Sequence, residues 1–472
     1  MTTNAQHFDV AVIGGGSGLT AAYHALQDGK SVALVDPQPD ALGGTCVYRG
    51  CQPTKLMTHA ADVLETIRHA EHANVQVDQS TVSPDFPGLM RHVREQRSDH
   101  SSSVKDWVES EMTPFYGRAH FTGDRILELD DGRALTADRV FVATGARPAI
   151  PRIEGLDDAD YLTNESILEL ERLPKSLAIL GGGYIGCEFA HVFAAMGCDV
   201  TIIDHSGLLP REDADVRELF EAELRKRTDV MLHYEAVKVE SLDSGSRGVR
   251  TRENGRPAGV KLTLRNDHDA DEFVEAEALL VALGRTPNTD TLDLDAAGID
   301  ADKNGYIKVD ERLETTCPGV FAYGDCIGKA MFKHTSSYEG ELAYRNANGA
   351  EQRADYHANP HAVYSKPQVA AVGLTEEQCQ DRGLNYETAS VPFHKFAKGE
   401  ILGEPAGLAK LITEAGSDRI LGFHLAGPGA AVMIHEVVVA MNCGNGSAKR
   451  IKDAIHIHPS TPELIGKTFA QV

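Results

Sequence analysis

Two cysteines stand five residues apart in Gly43-Gly44-Thr45-Cys46-Val47-Tyr48-Arg49-Gly50-Cys51-Gln52-Pro53-Thr54-Lys55. Glycines before the pair, with a proline and a lysine after it, suit a disulfide that is broken and remade rather than a staple. In a regular helix, residues i and i+5 lie ~8.6 Å apart at Cα, from a rise of ~1.5 Å and ~100° per residue. A disulfide tolerates at most ~7 Å. The segment is therefore predicted to be a distorted turn from Cys46 to Cys51, with regular helix starting near Pro53, since proline suits a first helical position. A cysteine at a helix N-terminus is favoured as the thiolate, the reactive form. The expected chemistry is thiol–disulfide exchange.

That chemistry also needs a proton carrier. His456-Ile457-His458-Pro459-Ser460-Thr461-Pro462-Glu463 offers one near the far end of the chain. Imidazole exchanges protons near neutrality, and a carboxylate a few residues on orients the ring and favours its charged form. On spacing alone either histidine serves. His-x-His also fits half a metal site, but no third ligand is evident and no CxxC pair accompanies it, so no metal is expected.

The electrons must come from elsewhere, and two further stretches supply a route. Phe8–Ile13 is an apolar run that reads as a buried parallel strand. It leads into Gly14-Gly15-Gly16-Ser17-Gly18, a helical stretch to about Gly29, and a second strand, Ser31–Val35, that ends on Asp36. The pattern recurs as Ser176–Leu180, Gly181-Gly182-Gly183-Tyr184-Ile185-Gly186, a helix to about Met196, and Asp199–Ile203 ending on Asp204. Strand, glycine turn, helix, strand and acid make a dinucleotide-binding unit. The missing side chains let the backbone approach a pyrophosphate, and the helix N-terminus supplies N–H donors. Two such units predict two nucleotide ligands. Asp36 and Asp204 are expected to hold ribose hydroxyls, and an acid at 204 repels a 2′-phosphate, which favours NAD over NADP. His205 and Ser206 add no arginine; Arg211 is the nearby residue that would reverse this preference by swinging in. The first turn departs from the fingerprint: Leu19 stands where the third glycine is usual, and Gly18 is expected to allow the close packing instead.

Length and composition frame these sites. A chain of 472 residues predicts about three domains. It is 42% hydrophobic, and no stretch approaches the ~20 apolar residues of a membrane span. The polar start through Asp9 leads straight into a strand, so no secretory leader is expected and a soluble, cytoplasmic protein is the default. A net charge of −24 argues against nucleic-acid binding. The other six cysteines, Cys187, Cys198, Cys317, Cys326, Cys379 and Cys443, are expected to be buried free thiols. The last ~115 residues lack glycine turns and read as an α+β domain used for packing or an interface, with a strand at Leu421–Leu425 and a helix at Val432–Met441.

Together these motifs resemble the flavoprotein disulfide reductases over essentially the whole chain. Ala143-Thr144-Gly145-Ala146-Arg147-Pro148 is similar to the family's strand-end motif. Leu283-Gly284-Arg285-Thr286-Pro287-Asn288 resembles the segment that returns to the flavin domain. Val320-Phe321-Ala322-Tyr323-Gly324-Asp325 resembles the second FAD motif. The resemblance implies an α/β fold: two Rossmann-like domains for FAD and NAD, and a C-terminal α+β dimerisation domain. The implied spans are an FAD-binding domain in two parts, 1–150 and 285–352, an NAD-binding domain over 151–284, and an interface domain over 353–472.

The resemblance also implies roles. Cys46 is the interchange thiol and Cys51 the thiolate against the flavin. Lys55 lies near the flavin with Glu188 as its ion-pair partner. His458 and Glu463 form the acid–base dyad, contributed from the other subunit of a homodimer. Gly14, Gly16, Ser17, Gly18, Asp36, Gly44, Thr45, Lys55, Ala119, Thr144, Gly145, Asp325, Met331 and Lys333 are implied to bind FAD, the last two through backbone. Gly181, Gly183, Tyr184, Ile185, Gly186, Asp204, Val239 and Gly284 are implied to bind NAD, with Tyr184 gating the nicotinamide pocket or simply packing. Within the family, Asp204 and the stretch Met331, His334, Glu339-Gly340 favour oxidation of dihydrolipoyl groups with NAD, on free lipoamide or a lipoyl-carrier protein. Leu19 and Val47-Tyr48-Arg49 lean toward the alternative, NAD(P)H-dependent reduction of a low-molecular-weight disulfide of the glutathione or mycothiol type. A rival of another class, a docking subunit of a multienzyme complex, is disfavoured by the intact cysteine pair and dyad.

Overall fold

The computed structural model describes residues 5–242, 259–403 and 405–472, so the first four residues of the polar N-terminus lie outside it. The chain forms two compact units. One comprises Met1–Thr54, Arg91–Ala149 and Gly284–Asp355; the other comprises Lys55–Met90, Ile150–Leu283 and Tyr356–Val472.

In the first unit a seven-stranded sheet is built on β1 (Gln6–Ile13), with β2 (Val32–Asp36) and β6 (Ala134–Val142) parallel on either side. Beyond β2 lies β3 (Thr113–Tyr116), also parallel. On the other flank, β5 (Ile126–Leu129) and β4 (Ala119–Gly123) add antiparallel strands. Val10–Ile13 and Val32–Val35 are buried almost throughout, as a strand covered on both faces requires. The helix α1 (Leu19–Gln27) follows the first glycine turn; α2 (Cys51–Arg68) and α3 (Phe86–Glu111) come next in the chain. After β7 (Ala146–Pro148) the chain leaves this unit. It returns through β15 (Arg285–Pro287), antiparallel to β7, and β16 (Val320–Ala322), parallel to β6. Helix α6 (Lys333–Ala347) closes the unit, and its Leu342, Ala343 and Ala347 join the core.

In the second unit, β8 (Ser176–Leu180), β9 (Asp199–Asp204), β10 (Asp229–Leu232) and β14 (Ala278–Val281) form a parallel sheet in the order β10-β9-β8-β14. Helix α4 (Tyr184–Met196) crosses between β8 and β9, and α5 (Ala214–Leu224) between β9 and β10. An antiparallel meander, β11 (Tyr234–Ser241), β12 (Val260–Asn266) and β13 (Asp271–Ala276), packs its apolar face with this sheet. The C-terminal part is a five-stranded antiparallel sheet in the order β17 (Pro360–Val363), β18 (Val369–Gly373), β21 (Ile420–Ala426), β20 (Leu408–Glu414), β19 (Tyr386–Pro392). Helices α7 (Ala430–Asn442) and α8 (Glu463–Phe469) share its core. The architecture is two Rossmann-like α/β domains and a C-terminal α+β domain, as expected.

Five of the six remaining cysteines are buried; Cys443, just past α7, is exposed, against expectation. It follows the last turn of α7, where Val437, Ala440 and Met441 already fill the core-facing positions. Burial pushes the Cys198 and Cys326 thiols up to about 12, so they are poor nucleophiles. Among the described residues no group of three or more His, Cys, Asp or Glu is placed to hold a metal ion. No described helix is long and apolar enough to cross a membrane.

Candidate active site

The cysteine segment is not helical through both thiols. Thr45–Arg49 winds as a single π-turn, Gly50 leaves the helical region at φ −146°, and α2 starts at Cys51. The distorted turn is as expected, but regular helix begins two residues before Pro53. The first turn of a helix leaves its N–H groups without helical partners, so a proline at its third position costs nothing. Cys46 is half-buried and Cys51 exposed. The glycines that precede them have a packing reason: the Gly16 and Gly44 backbones touch, and a Cβ on Gly44 stands 2.8 Å from the Gly16 Cα. The Gly43 N–H donates to Gly15 O at 2.7 Å. The redox turn is thus laid against the first glycine turn, main chain on main chain.

Both glycine turns share one construction. Gly14 and Gly181 open them at φ +112° and +117°. Asp36 accepts the Gly15 N–H at 2.7 Å and Asp204 the Gly182 N–H at 2.7 Å. Each acid therefore pins its own turn while keeping lone pairs for a further donor. Burial raises the Asp36 carboxyl, opposed by the hydrogen bonds from Gly15 and Gln38. The first turn is one residue shorter than the second. A Cβ on Gly18 stands 2.1 Å from Gly14 O, and one on Gly186 stands 1.9 Å from Gly181 O. Gly18 thereby occupies the close-packing place that Gly186 occupies in the second turn, and Leu19 becomes the first residue of α1.

Two observations fit the turns to dinucleotides. Thr144 Oγ1, at the end of β6, is buried with no hydrogen-bond partner among the described residues. Gly183 has nothing within 4 Å of a Cβ built on it, so its glycine leaves room for something outside the chain. Ser17 lies within the first turn, Gly145 follows Thr144, and Ala119 opens β4, buried. Asp325 sits just after β16, 3.4 Å from Arg285 Nε; burial raises its carboxyl and Arg285 opposes this. Met331 precedes α6. Val239 is buried in β11, and Gly284 belongs to the first unit's returning segment. Ile185 follows Tyr184 in the first turn of α4.

Tyr184 is pinned. Its hydroxyl donates to Glu212 Oε1 at 2.8 Å, and its ring stacks on His361 at 5.6 Å and 18°. His361 Nε2 meets the same oxygen at 2.6 Å. Burial would raise the Glu212 carboxyl, yet the hydrogen bonds from His361 and Tyr184 bring it below the usual range.

Lys55 Nζ pairs with Glu188 Oε2 at 2.6 Å. Lys333, the first residue of α6, shows a side chain that the sequence did not single out. Its ammonium donates to Ser337 Oγ at 3.0 Å. Burial draws its pKa down, while the charges of Cys46 and Cys51 favour the ammonium. No local signal reveals this, because α6 lies far along the chain from the cysteines.

The two histidines left open by spacing differ in space. His458 Nδ1 meets Glu463 Oε1 at 2.8 Å, and His456 Nε2 meets Glu436 Oε1 at 2.9 Å. The His458 side chain is 68% exposed and that of His456 only 14%. An ionised carboxylate only accepts, so His458 carries its proton on Nδ1 and presents Nε2. The His458 hydrogen bond, with smaller help from the Ser460 N–H, holds the Glu463 carboxyl below the usual range against a slight burial effect.

Residues 8–340 match the model of the family described as pyridine nucleotide-disulphide oxidoreductase. Residues 359–468 match that family's dimerisation domain. The chain belongs to the pyridine nucleotide-disulphide oxidoreductases, and it is a flavin- and NAD(H)-dependent disulfide oxidoreductase. It is 31% identical over 466 residues to dihydrolipoyl dehydrogenase 1, mitochondrial, of Arabidopsis thaliana, covering 97% of this chain and 89% of that one. It is 31% identical over 471 residues to mycothione reductase of Mycobacterium tuberculosis, covering 97% and 98%. Among solved structures it is similar to the Cu(II) complex of the HOCl-induced flavoprotein disulfide reductase RclA from Escherichia coli, with a TM-score of 0.84, 28% identity and 100% of both chains covered. The dimerisation domain supports a homodimer.

Proposed function

We propose that this chain is an NAD(P)H-dependent reductase of a low-molecular-weight disulfide, with NADH preferred. The observation that carries the reading is a cluster of cations round the cysteine turn in a chain whose net charge is −24. Arg97 lies 4.8 Å and Arg49 5.9 Å from the centre of the Tyr48 ring, on the turn that carries Cys46. The Lys333 ammonium feels the charges of both cysteines. Cations beside the cysteine turn suit a small anionic substrate, and a disulfide bearing carboxylates fits them better than an uncharged dithiolane ring. The stretch Met331, His334, Glu339-Gly340 loses its weight as a dihydrolipoyl signature, because buried Glu339 accepts the Gly324 N–H at 2.7 Å and so supports the turn that carries Asp325.

Bound FAD supplies the two-electron relay between the nicotinamide and the cysteine disulfide. The Gly14, Gly16, Gly18, Gly44 and Thr144 region is suited to hold it, and the Gly181–Gly186 turn with Asp204 to hold NAD. In the reduced chain, the Cys46 thiolate attacks one sulfur of the substrate disulfide. A mixed disulfide forms, and the leaving thiolate takes the proton that His458 carries on Nε2 in its charged form, while Nδ1–H stays on Glu463. The Cys51 thiolate then attacks the Cys46 sulfur, expels the second thiolate, which is protonated in turn, and restores the Cys46–Cys51 disulfide. Two electrons and two protons convert one disulfide into two thiols.

The second reading, oxidation of dihydrolipoyl groups with NAD, runs the same steps backward; Asp204 and the likeness to a dihydrolipoyl dehydrogenase favour it. A steady-state panel separates them: glutathione disulfide, other carboxylate-bearing disulfides and lipoamide, each with NADH and NADPH, together with dihydrolipoamide and NAD. The expected result is a kcat/KM at least about tenfold higher for an anionic disulfide than for lipoamide, a difference of about 1.4 kcal/mol in transition-state binding. A preference for lipoamide or dihydrolipoamide sinks the first reading in favour of the second.

A further inference from the structure

Lys55 and Glu188 are both held by one residue of the C-terminal domain. Tyr364, immediately past β17, donates its backbone N–H to Glu188 Oε1 at 2.9 Å. Its ring centre lies 4.5 Å from Lys55 Nζ. The other carboxylate oxygen of Glu188, Oε2, meets the same ammonium at 2.6 Å. The three residues close a triangle: carboxylate to ammonium, ammonium to ring, and main chain of the ring's own residue back to the carboxylate. Glu188 and Tyr184 stand one turn apart on α4, and β17 serves both, since His361 on that strand stacks on Tyr184.

We infer that Tyr364 is a positioning residue for the Lys55–Glu188 pair, its ring holding the lysine ammonium in one pose. The face of a phenol ring is electrostatically negative and attracts a cation at this distance. The backbone bond orients the carboxylate independently of the side chain, so the ring's part can be removed alone. A domain whose family role is dimerisation thereby completes a charge site within its own chain. The inference rests on the reading that Lys55 lies beside the flavin only for its effect on the flavin, not for the contact itself.

The test compares Tyr364→Phe, Tyr364→Leu and Tyr364→Trp in the holoenzyme. One readout is the rate at which a small acylating reagent labels Lys55, quantified on its peptide by mass spectrometry. The ring lies against the amino group and attracts it, so it protects the lysine from the reagent. Tyr364→Leu is expected to raise the labelling rate roughly fivefold, Tyr364→Phe to stay within about twofold of the parent, and Tyr364→Trp, with the stronger ring, to slow it. Equal rates in the Leu and Phe variants overturn the inference. Should the Leu variant fail to fold, the order Trp slower than Phe decides the matter, and the reverse order overturns it. The flavin absorbance on two-electron reduction is the second readout. Faster labelling of the Leu variant with an unchanged flavin spectrum supports the Tyr364 contact and instead removes Lys55 from the flavin's side.

Discussion

His458 and Glu463 show what one hydrogen bond decides. The bond at 2.8 Å fixes the tautomer, so Nε2 is the atom that exchanges protons. His458→Ala is expected to lower kcat about 10²–10⁴-fold while leaving the cysteines able to be reduced by NADH; rapid-mixing absorbance separates the two half-reactions. A variant that reduces substrate disulfide at the parent rate excludes His458 as the proton carrier. Glu463 titrates below the usual carboxylate range. Its pairing with His458 is therefore present above the ordinary carboxylate value and is lost as the pH falls through the depressed one; Glu463→Gln, which cannot ionise, should lower kcat at neutral pH and lack that acid-side loss in its rate profile. The residues of this dyad were legible from type and spacing. Which histidine is accessible was not, because it depends on Glu436, a residue of another helix.

At the scale of elements, the two glycine turns separate packing from ligand space. Gly18→Ala drives a methyl group into Gly14 O and should cost about 1–3 kcal/mol, as overpacking does, seen as a lower denaturation midpoint. Gly183→Ala meets nothing in the chain; it should leave the midpoint unchanged and weaken NADH binding, measured by calorimetry. Equal stability losses in the two variants would contradict this division.

A buried ionic cluster ties the segment before α5 to the C-terminal sheet. Lys410 Nζ lies 2.8 Å from Asp213, 2.9 Å from Asp215 and 2.6 Å from Glu376. Burial opposes both charges, yet the partners win: Asp213 titrates below its usual range and Lys410 above its own. The stabilisation from Asp213 is present above the ordinary carboxylate value of ~3.9 and is lost as the pH falls through the depressed one. The Lys410 contribution persists until the pH rises through its raised value. Lys410→Met takes the cation from the buried Asp213 carboxylate and should cost about 3–5 kcal/mol at neutral pH, checked by denaturant titration; a loss below about 1 kcal/mol would mean that water already screens the cluster. Nothing near Asp213 or Lys410 in the sequence announces this pairing.

For the whole molecule, the exposed apolar residues point to the subunit contact. Val432 and Val439 stand two turns apart on α7, and Ile455 and Ile457 flank His456. Large apolar side chains exposed on the domain that matches the family's dimerisation domain suit burial in an assembly. Val439→Asp is expected to yield monomers by sedimentation. Mixing inactive Cys46→Ser and His458→Ala protomers should restore part of the activity if each site takes its dyad from the other subunit; no recovery after verified exchange would place both groups in one chain.

The sequence by itself determined the redox chemistry, the two nucleotide turns, the fold class and the break in helix between the cysteines. Each of these follows from residue types a few positions apart, where strand period, glycine sterics and helix geometry act locally. Only the tertiary structure decided that Gly18 replaces the missing third glycine, which histidine is exposed, that the Lys333 ammonium meets Ser337 and is favoured by the cysteine charges, and that Tyr184 is tied to Glu212 and His361. Those depend on pairs brought together by sheet order and helix docking, where distance in space has no fixed relation to distance along the chain.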